Sequence, residues 1–143
     1  MRRFMAAVLA VLAMAALCGC APTEAILYEN EFDDLDIEGR CDDVVSMVKS
    51  GMMGGYVRRD IEAIKNDLLY IEPDNEDLKK INDMFIASVD EIMEYREAAV
   101  EQDERGMREH LEGARYLYRR ADNRLNEIKR QYDSERKSEL ESG

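Results

Sequence analysis

The chain has 143 residues, 45% of them apolar and 36% charged, with 32 acidic side chains against 20 basic ones and a formal charge of −12. One ordinary domain fits this length, and neither a full α/β barrel nor a two-domain clamshell does. A pI near 4.6 argues against nucleic acid as a partner, because a phosphate backbone is held by clustered Lys and Arg that release counterions.

The first residues read as an export signal. Arg2 and Arg3 precede an apolar run from Phe4 to Leu17, which is followed by Cys18-Gly19-Cys20 and then Pro22, Thr23 and Glu24. The run is shorter than the roughly 20 apolar residues that cross a bilayer. Leu17-Cys18-Gly19-Cys20 resembles the lipobox of prokaryotic lipoproteins. That resemblance implies cleavage before Cys20, a diacylglyceryl thioether on its sulfur, and anchoring at the outer face of the cytoplasmic membrane. With Ala21 next, it implies sorting to the outer membrane in an enteric type of cell. A competing pattern, Ala13-Met14-Ala15, would give cleavage without lipid. Residues 1–19 are therefore expected to be a signal peptide and residues 20–31 a lipid-anchored tether.

The remaining pattern is helical throughout, with apolar stripes of period 3.5 and no sustained alternation of period 2. A first helix over 33–49 carries Ile37, Cys41, Val44, Val45 and Val48, and Gly51, Gly54 and Gly55 stop it. A second over 55–71 carries Val57, Ile61, Ile64, Leu68 and Ile71, ending before Pro73. A third over 75–101 is expected to be capped by Asp74. It carries Leu78, Ile81, Phe85, Ser88, Ile92, Tyr95 and Ala99. After a turn with Asp103 as cap, a fourth over 104–132 carries Met107, Leu111, Ala114, Tyr118, Ala121, Leu125, Ile128 and Tyr132, and residues 133–143 read as a polar tail.

Short connections make these an all-α, up-down antiparallel bundle of about four helices, spanning residues 32–132. Two helices are short and two long, so the long third–fourth hairpin is expected to project over about 90–117. Ile92, Tyr95, Val100, Leu111, Tyr116 and Leu117 would lack cover there. Tyr95, Leu111, Tyr116 and Leu117 are the candidate protein contacts, since leftover apolar and tyrosine surface commonly marks one.

Charge is unevenly divided. Residues 20–104 hold 24 acids and 8 bases, whereas residues 105–143 hold 10 bases and 8 acids. A fold about residue 104 would bring Glu94, Asp90 and Asp83 to Arg115, Arg119 and Arg124. Arg115, Arg119 and Arg120 are also a candidate contact for an anion or lipid headgroup.

Ordinary catalytic patterns are missing. His110 is the only histidine, so a single chain assembles no histidine-based triad, zinc pair or di-iron site with two Glu-x-x-His motifs. Glu91, Glu94, Glu97, Glu101 and Glu104 read as a wet helix face, and Met47, Met52 and Met53 as filling rather than a soft-metal site. With the signal removed and Cys20 lipidated, Cys41 would have no disulfide partner and reads as a buried thiol. No enzyme activity, metal or cofactor is expected. The expectation is a membrane-anchored, extracytoplasmic module that binds a protein partner or itself. The alternative is a small-ligand or metal carrier using the bundle interior.

Overall fold

A computed structural model describes residues 20–142, and the signal-peptide reading of residues 1–19 lies outside the described residues. Among the described residues five helices follow one another: α1 (Cys20–Asp34), α2 (Ile37–Lys49), α3 (Gly55–Tyr70), α4 (Glu76–Glu101) and α5 (Glu104–Ser142). No strand occurs among the described residues, and no described helix is long and apolar enough to cross a membrane.

The architecture is the up-down bundle that the stripes imply. Contacts between helices set the directions. The Tyr28 hydroxyl donates to Asn82 Oδ1 at 3.0 Å and Phe32 packs against Phe85, the rings tilted by 40° with centroids 4.4 Å apart, so α1 runs parallel to α4. Glu29 pairs with Lys129 while Phe32 meets Tyr118, so α1 runs antiparallel to α5. Lys65 with Asp90 and Asn82 with the Leu68 carbonyl set α3 antiparallel to α4. The core that results contains Ile37, Ile61, Ile64, Leu68, Leu78 and Ile81, all essentially buried.

Helix ends follow local chemistry. Gly51 takes φ +82°, which glycine adopts without a Cβ penalty. Its N–H bonds to Val48 O and that of Met52 to Met47 O, the two bonds of a Schellman stop. Asn75, one residue beyond the expected Asp74, caps α4: its Oδ1 accepts from Asp77 N at 2.8 Å and Leu78 N at 3.2 Å. Asp103 caps α5 as expected, accepting from the N–H groups of Arg105 and Gly106. Gly106 is required by close approach, since a Cβ there would lie 3.2 Å from Ala98 Cβ and 2.5 Å from the Asp103 carboxylate.

Several further expectations are corrected. Residues 20–31, expected as a tether, are the helix α1, with Ala25, Tyr28 and Phe32 buried in the core. Residues 133–142, expected as a tail, continue α5. The first bundle helix is broken at Leu35–Asp36, where Asp36 takes φ +48° and Arg40 donates to Leu35 O at 3.2 Å while pairing with Asp67 at 2.6 Å. The α1–α2 arm is about 45 Å long at 1.5 Å per residue. The added α1 covers the base of the hairpin, beside Asn82 and Phe85. Nearer the tip, Ile92 and Tyr95 are buried, Ile92 beside Cys41 and Val45 of α2, and only the tip beyond about Ala98 projects.

Register is corrected as well. The Ser88 hydroxyl donates to Ala114 O at 2.9 Å and Glu91 meets His110 at 2.8 Å. The hairpin therefore folds more than a helical turn away from the expected alignment. Asp90 accordingly pairs with Lys65 of α3 and Arg124 with Glu127 of its own helix.

Candidate functional site

Two concave surfaces flank α5. The larger is a groove of about 820 Å³ between the first half of α4 and the middle of α5, lined by Lys80, Met84, Tyr116, Arg119, Arg120 and Arg124, with Asp77 and Glu127 among the others. Tyr116 is 59% exposed there, because it lies on the outer face of α5, opposite the stripe that buries Ala114, Ala121 and Leu125. Arg120 and Arg124 follow it at intervals of four residues, on the same face of the helix. The groove joins Tyr116, Arg119 and Arg120, three residues that the sequence singles out separately.

The second surface is a cleft of about 420 Å³ between α2, α4 and α5. Cys41, Val45, Ser88, Ile92 and Ala114 form its floor, each no more than 9% exposed. Glu38 and Asp42 rise on the α2 side, Arg115 and Arg119 on the α5 side, and Leu111, Tyr118 and Lys49 also line it. Leu111 is half-buried here, and Leu117 is half-buried outside both surfaces. Tyr95, the remaining candidate contact, is 2% exposed and packs within the core. Cys20 is the first residue of α1.

Among the described residues three polar side chains are buried between the helices, and of these only Ser88 lies on an expected stripe. Asn82 donates to Leu68 O at 2.9 Å and Ile71 O at 3.2 Å while accepting from Tyr28. Ser88 binds across the α4–α5 hairpin, as noted. Arg96, 8% exposed, donates to Met53 O and pairs with Glu97, which ties the α2–α3 connection to α4. A polar residue beside an apolar stripe was the only available signal for Asn82 and Arg96, which neighbour Ile81 and Tyr95.

Burial also governs ionisation on the cleft floor. Loss of solvent, then the Asp42 carboxylate, push the Cys41 thiol from its ordinary 9.0 up to about 12, and Arg40 opposes them. Burial likewise holds the Tyr28 and Tyr118 hydroxyls well above the tyrosine range, with Glu38 adding to the effect at Tyr118. The folded state thus keeps protons that the unfolded chain would release. Stability is fully present below the unfolded value of 9.0 and declines as pH rises toward 12. Urea midpoints at pH 7, 9 and 11 should fall in that order. Cys41→Ala should fall less steeply over the upper interval, and an equally steep fall would contradict the assignment to this thiol.

No group of three or more His, Cys, Asp or Glu side chains able to hold a metal ion occurs among the described residues. Compared with protein-family models, with curated proteins and with solved structures, the chain matches none of them.

Proposed function

We propose that the chain is a lipid-anchored, non-enzymatic module that binds another protein at the cell envelope. The anchor rests on Leu17-Cys18-Gly19-Cys20 following a short apolar run. Binding rests on the α4–α5 groove, where the exposed Tyr116 stands among Arg119, Arg120 and Arg124 on an otherwise acidic chain. Tyr and Arg dominate interface hot spots. A tyrosine ring contributes wide contact area with little rotamer entropy to lose, and a guanidinium offers five donors in a planar fork. The complementary partner surface is acidic.

A helix that starts at Cys20 leaves little slack between lipid and domain. The groove is then held at a set distance from the bilayer, which suits a module that positions its partner.

Affinity capture of the tagged, membrane-anchored protein tests this reading. Tyr116→Ser combined with Arg120→Glu is expected to lower recovery of the partner about tenfold or more, the change that a single lost hot spot brings. The melting temperature should stay within about 2 °C, since both side chains are exposed and surface substitutions are usually near neutral. Recovery equal to that of the native chain would rule the groove out as the contact.

A further inference from the structure

The α2–α5 cleft opens beside that groove, shares only Arg119 with it, and has a chemistry of its own. At the base of the bundle α1 packs against α5, but past the break at Asp36 the arm packs instead on α3 and α4. The ring of helices is left open between α2 and α5, which creates the cleft. Its apolar floor is already almost covered by the protein itself. A docked helix would therefore bury little further apolar surface, and hydrophobic stabilisation scales with that area.

Charge dominates what remains. Glu38 and Asp42 are one turn apart on one wall, and Arg115 and Arg119 are one turn apart on the other. Among the described residues none of these four, nor Lys49, takes part in an ion pair. A simple anion would meet two carboxylates, and a simple cation two guanidinium groups. A ligand bearing both signs satisfies both walls.

The geometry points to a small zwitterion as the ligand of this cleft: a phosphate ester carrying a primary ammonium, its phosphate on Arg115 and Arg119 and its ammonium against Glu38 and Asp42. Guanidinium groups bind phosphate oxygens bidentately, and an ammonium is a compact point charge suited to paired carboxylates. Three cationic and two anionic side chains give the cleft one net positive charge. A phosphate monoester contributes about −1.5 to −2 at neutral pH, so a monoester with one ammonium brings the balance near zero. A volume of about 420 Å³ falls within the range of small-molecule sites. A free phosphorylated amine offers this chemistry as a monoester, and an ethanolamine lipid headgroup offers the same two groups as a diester with one negative charge fewer.

Calorimetric titration of phosphoethanolamine into the purified full-length chain in maltoside detergent tests the proposal, with inorganic phosphate and ethanolamine as probes of one sign each. Saturable binding is expected, at least tenfold tighter than either single-sign probe. Arg115→Glu should weaken it at least tenfold, and Glu38→Gln combined with Asp42→Asn should reduce it to the level of phosphate alone. Arg115→Gln repeats the test without reversing charge, should the Glu variant lose its helical circular dichroism. Phosphatidylethanolamine vesicles that compete for the site would identify the lipid headgroup as the source, and vesicles that do not compete would identify the free compound. Absent saturation, equal affinity for phosphate, or unchanged binding in both Arg115 variants would overturn the proposal.

Discussion

Phe32→Ala is expected to destabilise the protein by about 3–5 kcal/mol, the usual cost of truncating a buried phenylalanine. The Phe32 ring is 7% exposed and lies 4.4 Å from the Phe85 centroid and 6.4 Å from that of Tyr118. It thereby links α1 to both helices of the long hairpin. Removing it leaves a cavity where three helices meet, and neither long helix is free to shift into the space. A loss of this size corresponds to a melting-temperature drop of roughly 10–20 °C for a domain of about 120 residues. Thermal unfolding followed by circular dichroism reads it directly. If the segment were a tether, the change would stay within about 0.5 kcal/mol, so a near-neutral result would contradict the placement of α1.

Asn82→Leu should cost about 2–4 kcal/mol, because it strips partners from three buried groups at once. The Asn82 amide is donor to the carbonyls of Leu68 and Ile71 and acceptor from Tyr28. This one side chain therefore joins α1, the end of α3 and α4. Tyr28→Phe alone should cost about 1 kcal/mol, the net worth of an ordinary hydrogen bond. The double variant should fall short of the sum of the two single costs, since they share that bond. Strict additivity in urea unfolding would show that the two side chains do not act together.

Helix positions were legible wherever an apolar stripe met a clear stop. Gly51 and the Pro73–Asn75 corner bound α2, α3 and α4 within a few residues of expectation, because backbone geometry there depends on one or two residue types. The α1 helix was harder to read. Ala25, Tyr28 and Phe32 do follow helical spacing, but Pro22 and a run of acids around them resemble a solvated linker, and only packing on α4 and α5 makes the segment worth ordering.

Register was not legible at all. A stripe shows which face is buried without showing its alignment to a neighbour, and here that alignment depends on the Gln102–Asp103 turn and on Ser88 reaching Ala114 O. The cleft depends on a non-glycine residue, Asp36, in a left-handed conformation, which composition does not signal. Of the candidate contacts, Tyr116 lies on an exposed face as expected. Tyr95 does not, since its stripe position already placed it toward the core, where it is buried.

Lipid on Cys20 is the claim on which the proposed location and the fixed height of the binding groove both depend. Metabolic labelling with an alkyne fatty acid, comparing the native chain with Cys20→Ser in the same cells, measures it directly. The expected result is a labelled native protein in the membrane fraction and an unlabelled variant released from it. Equal labelling of the two, or none in either, would contradict the anchor.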